Sequence, residues 1–273
     1  MYTQFSLTVN EGKWLIAHAV SRMACVRESL EKGRLILKGG TTVSCISEII
    51  MKYPLGISGR ITDRGALGHK RLSSVPHIIQ IEKGQITGID DCVDEVLLDL
   101  GPVDTVVTGA NIIDSYGEAA MLAGSPGGNK WGKAASALSS EGVNVIIAAG
   151  LEKLIPGRVH DSIMLSRRKG IDHSKGMASG LFSITGKIVT EVEAIKALAD
   201  VDVTIIGRGG IYGAEGGTLF QVSGTDDEVS KLENVISLCS EQKIGGDIET
   251  LESCTYPGPG CGIHLSCCYK SKG

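Results

Sequence analysis

Aromatic residues are scarce in this chain. They make up only 4% of its 273 residues, and only three of them are Phe. The core must therefore be built mainly from aliphatic side chains, which is typical of parallel strands of Val and Ile covered by helices. Hydrophobic residues make up 42% and charged residues 21%, as in ordinary globular proteins. This length predicts one sizeable α/β domain and a smaller one.

Long apolar runs and basic runs are also missing. No apolar stretch approaches the roughly 20 residues that cross a bilayer. The first residues, MYTQFSLTVNEGKWLIAHAV, lack the basic and apolar regions of a secretory signal. The net charge is −4 without a long basic run, which excludes the electrostatic footprint of nucleic-acid binding. We therefore expect a cytoplasmic protein that binds neither membranes nor nucleic acid.

Strand and helix patterns alternate along the first two thirds of the chain. Apolar runs at 35–37, 103–114 and 143–150 predict buried strands. Helical spacing predicts helices at 11–31, with Asn10 as its N-cap, at 42–51 and at 129–141. Strand–helix–strand units with short connections are typical of a mostly parallel, doubly wound sheet with helices on both faces. Alternating residues around Lys83-Gly84 predict an additional hairpin.

The pattern changes after residue 185. A helix, two strands and a second helix are predicted between residues 190 and 240. They form either a small separate α-β-β-α unit or an extension of the main sheet, and we favour the separate unit. The predicted organisation is an α/β domain (1–185), a small α+β unit (186–250) and an irregular, cysteine-rich tail (251–273).

A glycine turn follows the first predicted buried strand. Gly39, Gly40, Thr41 and Thr42 lie between that strand and a helix. Free N–H groups at a helix start favour an anion, and glycine lets the backbone approach it closely. The alternative is an ordinary tight turn between a strand and a helix. The phosphate loop G-x-x-x-x-G-K-[ST] is not present.

A second glycine cluster, IIGRGGIYGAEGG, has the spacing G-x-G-x-x-x-G. An apolar strand follows it instead of the helix that a dinucleotide-binding turn requires. We therefore expect a tight hairpin, or an exposed loop around Tyr212 and Glu215, and no nicotinamide cofactor.

Three segments carry a family resemblance: LILKGGTTV, VDTVVTGANIIDSYGEAAMLAGSPGGNKWGKAASAL and VNVIIAAGLEKL. Over about residues 11–155 they resemble the superfamily that holds ribose-5-phosphate isomerase, glucosamine-6-phosphate deaminase, coenzyme A transferases, methylthioribose-1-phosphate isomerase and the translation initiation factor 2B subunits. The resemblance implies that the Gly39–Thr42 turn binds phosphate.

The resemblance also places Gly109 and Ala110 on the family's Gly-Ala-Asp motif, with Asn111 at the position of the aspartate. An amide cannot abstract a proton, so this chain is not expected to be a ribose-5-phosphate isomerase. Asn111 can still hydrogen-bond a sugar hydroxyl or a carboxylate.

Further candidates lie beyond Asn111. Asp114 and Glu118 are the candidate general bases, and their alternative role is that of solvent-facing loop acids. The crowded glycines of the Gly124–Gly128 loop indicate close approach to a ligand or to a neighbouring loop. The ligand-binding candidates after the turn are Gly109, Asn111, Ser125, Gly127, Gly128 and Lys130.

Two charged or thiol-rich segments remain. The basic loop contains Arg60, Arg64, His69, Lys70 and Arg71, and is either part of an anion site or a solvated surface loop. The tail offers Cys254, Cys261, His264 and Cys267 as candidate metal ligands, although it lacks a C-x-x-C pair. The alternative is a redox-active or simply thiol-rich tail. No cofactor is predicted.

These features predict a protein that binds a small phosphorylated or carboxylated metabolite. The catalytic form of this hypothesis is an isomerase acting on a sugar phosphate. The alternative is a non-catalytic metabolite-binding or regulatory protein of the same fold, as in the initiation-factor branch. Sheet edges and the resemblance predict a homo-oligomer.

Overall fold

The computed structural model describes residues 1–68, 75–240, 242–247 and 250, and these contain fourteen strands, nine α-helices and two short 3-10 helices. The strands are β1 (Tyr2–Leu7), β2 (Arg34–Lys38), β3 (Gly59–Thr62), β4 (Gly65–Gly68), β5 (Ile78–Glu82), β6 (Gln85–Gly88), β7 (Thr105–Thr108), β8 (Ile112–Ile113), β9 (Ala119–Ala123), β10 (Asn144–Ala148), β11 (Gly180–Ile184), β12 (Lys187–Val189), β13 (Val201–Gly209) and β14 (Gly217–Gly224). The helices are α1 (Val9–Val20), α2 (Ala24–Lys32), α3 (Thr41–Met51), α4 (Val93–Leu98), α5 (Asn129–Ala134), α6 (Ala137–Ser140), α7 (Val159–Leu165), α8 (Glu191–Leu198) and α9 (Asp226–Ser240). Within these ranges, no helix combines the length and apolarity that a membrane crossing requires.

The main sheet has six strands in the order β12-β10-β7-β2-β5-β6. The first four run parallel to one another, whereas β5 pairs antiparallel with β2 and β6 pairs antiparallel with β5. The predicted α/β class is confirmed, and the sheet itself is mixed. The predicted hairpin at Lys83-Gly84 is also confirmed, and both residues have the positive φ (49° and 77°) that a tight turn between two strands needs.

Two apolar layers pack against this sheet because alternate residues of each strand point to opposite faces. Leu35 and Leu37 lie in a first layer with residues of α1, α3, α8 and α9. Ile36 lies in a second layer with residues of α4, α5 and α6. The buried hydrophobic side chains are mostly aliphatic, as the composition predicts, with Trp14, Trp131 and Phe220 as the aromatic ones in the described chain.

The predicted helix 11–31 is divided in two. Thr8, not Asn10, begins α1, because the Thr8 hydroxyl accepts the Glu11 N–H (3.2 Å) and the Glu11 carboxylate accepts the Thr8 N–H (2.7 Å). The chain turns between α1 and α2, and this brings Ser29 Oγ within 2.6 Å of Thr105 Oγ1. The predicted helix 129–141 is likewise divided into α5 and α6.

Strands β1, β14 and β13 form a separate antiparallel sheet in this order, so that β14 pairs with β1 on one side and with β13 on the other. The preceding strand, β12, belongs to the main sheet instead. The N-terminal strand thus completes the sheet of the 186–240 region, a pairing that local sequence patterns do not predict. The domain boundary at residue 185 stays a prediction.

Asp104 ties the amino edge of β2 to the chain that leads into β7. Its side chain is buried, and Oδ1 accepts the Arg34 N–H (2.7 Å). Oδ2 accepts Arg34 Nη2 (3.0 Å) and the Gly101 N–H (2.9 Å). Burial alone would raise the pKa of Asp104, but these donors, Arg34 foremost, hold it below its ordinary value. A cavity of about 220 Å³ opens beside this network.

We expect Asp104→Ala to lower the free energy of unfolding by about 2–4 kcal/mol, because it leaves buried donors without an acceptor. The effect should be lost as the pH falls through the lowered pKa, because both states are then protonated. Asp99→Ala is the matched control. It removes the exposed partner of Arg34 and should cost less than about 1 kcal/mol. Equal losses in urea unfolding would contradict this account.

Candidate functional site

The parallel strands β2, β7, β10 and β12 all end at one edge of the main sheet. The segments that follow them are 39–41, 109–111, 149–153 and 190–191. Ligand sites in open α/β sheets lie at such carboxyl edges. This edge carries the candidates that the family resemblance implies, in the segments after β2 and β7. It also carries several charged residues that sequence reasoning missed.

The two glycines of the predicted anion turn differ in their surroundings. A Cβ added to Gly39 would lie 2.3 Å from the Gly56 carbonyl oxygen and 2.6 Å from that of His77. Gly39 is therefore required by backbone packing. A Cβ on Gly40 would meet no heavy atom of the described chain within 4 Å, and no side chain caps α3 there. The start of α3 is thus open, as anion binding would require.

The threonines of the turn belong to the first turn of α3. Thr42 is buried, and its Oγ1 has no hydrogen-bond partner within the described ranges. The Thr41 carbonyl accepts the Cys45 thiol (3.2 Å). A Cβ on Gly245 would lie 2.8 Å from the same carbonyl, so the 242–247 segment packs along this turn. Ligand binding by Thr41 and Thr42 stays a prediction.

Gly109 and Asn111 follow β7. Asn111 Oδ1 accepts the Leu122 N–H (2.9 Å), and the Asn111 N–H donates to the Ala120 carbonyl (2.8 Å). These bonds hold the β8–β9 hairpin. The Nδ2 group is therefore the part of the Asn111 side chain that a ligand could contact. Gly109 has room for a side chain, since a Cβ added there would lie 3.8 Å from the Ala148 carbonyl oxygen, an ordinary van der Waals contact.

The predicted bases Asp114 and Glu118 hold the β8–β9 turn against the start of α7. Buried Asp114 accepts the N–H groups of Tyr116 (2.9 Å), Glu118 (3.0 Å) and Val159 (2.9 Å). Burial would raise its pKa, but these backbone donors outweigh burial and lower it. Glu118 forms an ion pair with Arg158 (3.5 Å). A carboxylate with three donors and a lowered pKa is a weak base, so the geometry does not favour Asp114 for that role.

The glycine loop after β9 is crowded by other parts of the protein. A Cβ on Gly124 would lie 2.2 Å from Met177 Cε, and one on Gly128 would lie 2.9 Å from Phe182 Cε1. Gly127 and Gly128 also have positive φ values of 65° and 72°. Of the two alternatives for this loop, close approach to neighbouring segments is the one that the contacts favour.

The remaining loop candidates are Ser125 and Lys130. Ser125 is exposed, and its carbonyl accepts the Gly128 N–H (3.1 Å). Lys130 Nζ donates to the Asp91 carbonyl and forms an ion pair with Asp94 (3.3 Å). The charge of Lys130 is thus already paired with the start of α4.

Sequence reasoning missed a group of five ionisable residues at the carboxyl edge, which we call the edge cluster: Lys13, Glu152, Lys153, Glu191 and Arg208. Glu191 is the first residue of α8 and is only 4% exposed. Its Oε2 accepts the Leu151 N–H (2.8 Å), and Arg208 Nη2 donates to the Leu151 carbonyl (2.5 Å). The turn after β10 is thereby held between α8 and β13.

Two glycines make room for the carboxyl groups of the edge cluster. A Cβ on Gly12 would lie 2.4 Å from Glu191 Oε1. One on Gly150 would lie 2.1 Å from Glu152 Oε2 and 2.9 Å from Glu191 Oε1. The two carboxyl groups therefore converge on the Gly150 backbone. Glu152 Oε2 is buried and has no hydrogen-bond partner in the part of the chain that the structure describes.

This setting shifts the pKa values of Glu191 and Lys153. Burial raises the pKa of Glu191 to about 7, and the negative charge of Glu152 adds to this shift while Arg208 opposes it. Burial lowers the pKa of Lys153, as does the charge of Lys13, whereas Glu152 and Glu191 raise it. Glu191 therefore exchanges a proton near neutral pH, which is the property of a general acid and base.

The β13–β14 connection lies over the edge cluster. β13 and β14 pair as a hairpin, and residues 210–216 between them form the exposed loop that was the alternative to a tight turn, with Tyr212 97% exposed. A Cβ on Gly216 would lie 3.8 Å from Glu152 Cβ. The Glu215 carboxylate accepts the Gly213 N–H (2.9 Å) within the loop.

The tail candidates Cys254, Cys261, His264 and Cys267 lie outside the described residues, as do His69, Lys70 and Arg71 of the basic loop. Within the described ranges, no group of three or more His, Cys, Asp or Glu side chains is arranged to hold a metal ion. No family model, curated protein or solved structure matches the chain.

The raised pKa of Glu191 predicts a pH-dependent stability. The folded state keeps a proton that the unfolded state loses, so stability should fall as the pH rises from 4.5 through about 7. Glu191→Gln removes this titration. Relative to the wild type, it should gain about 1–3 kcal/mol of unfolding free energy across that interval. Urea unfolding at several pH values measures it.

Exposed Glu233→Gln on α9 is the control and should follow the wild-type curve. A Glu191→Gln curve that runs parallel to the wild type would show that Glu191 titrates normally.

Proposed function

We propose that this protein binds a small carboxylated or phosphorylated metabolite at the carboxyl edge and moves a proton on it. Glu191 is the acid–base group in this proposal. The observation that carries it is the pairing of buried Glu191 with Glu152 beside the cations of the edge cluster. A carboxyl group whose pKa is raised to about 7 can both take up and release a proton near neutral pH.

The chemistry that fits this arrangement is isomerisation next to a carbonyl group. Ionised Glu191 would take a proton from the hydroxyl-bearing carbon beside the carbonyl, leaving an enediolate. The hydroxyl proton of that carbon would pass to the former carbonyl oxygen, and Glu191 would return its proton to the former carbonyl carbon. Positive charge from Lys13, Lys153 and Arg208 would stabilise the negative charge that develops on oxygen. A sugar phosphate, as the family resemblance implies, is one substrate of this class.

The open start of α3 supports the anion-binding half of the proposal. Gly40 leaves space in front of N–H groups that have no partner within the helix, and the helix dipole favours negative charge there. This agrees with the expectation that Gly40, Thr41 and Thr42 hold a phosphate or carboxylate group.

The second candidate function is metabolite binding without turnover. Asn111 stands where the resembled enzymes have an aspartate, and Asp114 is occupied by three backbone donors. If Glu191 serves only to hold the Leu151 turn, the edge would bind an anion and leave it unchanged. Cytoplasmic location and homo-oligomerisation stay predictions.

The test is deuterium incorporation into candidate ligands in D₂O, read by proton NMR. Aldose phosphates, ketose phosphates and 2-oxo acids that raise the melting temperature would be incubated with the protein. We expect exchange at the carbon beside the carbonyl, with Glu191→Gln slowing it at least about 100-fold. Glu233→Gln should exchange at the wild-type rate.

Binding without exchange would favour the non-catalytic function. The proposal fails if none of these compounds raises the melting temperature, or if Glu191→Gln exchanges as fast as the wild type.

A further inference from the structure

A second pair of side chains lies at the carboxyl edge, on the other face of the main sheet. Lys38 is the last residue of β2 and points to the same face as Ile36, into the layer of α4, α5 and α6. Its Nζ lies 5.4 Å from the centre of the Trp131 ring. Trp131 belongs to α5 and is 4% exposed.

The indole N–H of Trp131 has no acceptor in the described part of the chain. Its Nε1 is buried, and no atom of the described residues accepts a hydrogen bond from it. The other tryptophan, Trp14, shows the usual arrangement, because its Nε1 donates to the Lys243 carbonyl (2.8 Å). A buried donor without a partner costs about 1–3 kcal/mol, so such donors are rare in folded proteins.

The ammonium group of Lys38 contacts the Trp131 ring and has no ion-pair or hydrogen-bond partner among the described residues. Within the described ranges, no carboxylate forms an ion pair with Nζ and no oxygen accepts a hydrogen bond from it. Burial lowers the pKa of Lys38 to about 8, and the charge of Asp90 opposes this shift from a distance. The Asp90 carboxylate itself accepts the His77 N–H (2.9 Å).

We infer that Lys38 and Trp131 form a subsite for a compact oxyanion, a carboxylate or a phosphate group. Two oxygens of such a group can each accept one hydrogen bond, and the two donors can then be up to about 8 Å apart. The ammonium lies 5.4 Å from the centre of the ring that carries Nε1, so both donors fall within this span. An anion would pair the lysine charge and the indole N–H together.

The chemistry of the pair restricts the ligand. Both groups are donors, so a cation is repelled and a ligand that only donates gains nothing. The ammonium occupies one face of the indole, where a flat apolar ligand would otherwise stack. This subsite lies on the opposite face of the sheet from Glu191 and does not depend on the proton transfer proposed there.

The indole N–H provides a direct readout. The chain has two tryptophans, so a ¹H–¹⁵N spectrum contains two indole signals, and Trp14→Phe assigns the one from Trp131. Titration with sodium phosphate or sodium acetate, at ionic strength held constant with chloride, should shift the Trp131 signal downfield and saturate. The Trp14 signal, already hydrogen-bonded, should stay in place.

Lys38→Met should weaken the apparent affinity at least tenfold, and Lys38→Gln serves if the Met variant does not give a folded spectrum. Lys133→Met is the control. It removes an exposed lysine of α5, the helix that carries Trp131, and this variant should bind the anions as the wild type does. A phosphate response alone indicates a phosphorylated ligand, and an acetate response alone indicates a carboxylated one. A Trp131 signal that neither anion shifts, or one that shifts equally in the Lys38 variants, would overturn the inference.

Discussion

The parallel register of β2, β7 and β10 determines where the charged groups of the carboxyl edge lie. Thr105 pairs with Leu35 on one side and with Asn144 on the other, so both neighbours are aligned on one residue of β7. A slip of one residue would turn every side chain to the opposite face. Lys38 would then leave the layer that contains Trp131. Asp104 secures this register at the amino edge, where it accepts hydrogen bonds from Arg34.

The same edge carries an energetic cost that the fold tolerates. A carboxyl group as buried as Glu191 prefers to be neutral, and its ionisation is opposed by Glu152 nearby. A hydrophobic residue at that position would avoid this cost. The carboxyl groups also restrict the sequence at Gly12 and Gly150, because a Cβ at either position would lie too close to a carboxyl oxygen. Strongly shifted groups of this kind concentrate at functional sites.

Local patterns were sufficient for much of the fold. The apolar centre of β7 and the turn residues of the β5–β6 hairpin were readable from short stretches of sequence. The pairing of β1 with β14 was not, because its partners are more than 200 residues apart. The T-x-x-E capping box at Thr8 was present in the sequence and overlooked in favour of Asn10.

The site was less predictable than the fold. Charge directly after a buried strand, as in AAGLEKL, was the available signal for Glu152 and Lys153. Glu191 gave no such signal of burial, since its neighbours in space come from α1, β13 and the turn after β10. Asp114 shows the converse. Its position after a strand resembled that of a base, and only its three backbone donors reveal a carboxylate committed to holding a turn.

The proposed proton transfer depends on Glu191 holding its proton up to near neutral pH in the folded protein. Carbon-13 NMR of the side-chain carboxyl carbons, followed against pH and assigned with Glu191→Gln, tests it directly. We expect the Glu191 carboxyl signal to titrate at about pH 7 and to be missing from the spectrum of Glu191→Gln. If the Glu191 signal instead titrates near 4.5, the ordinary value of a glutamate, burial does not hold the proton on Glu191 and the proposed acid–base role is contradicted.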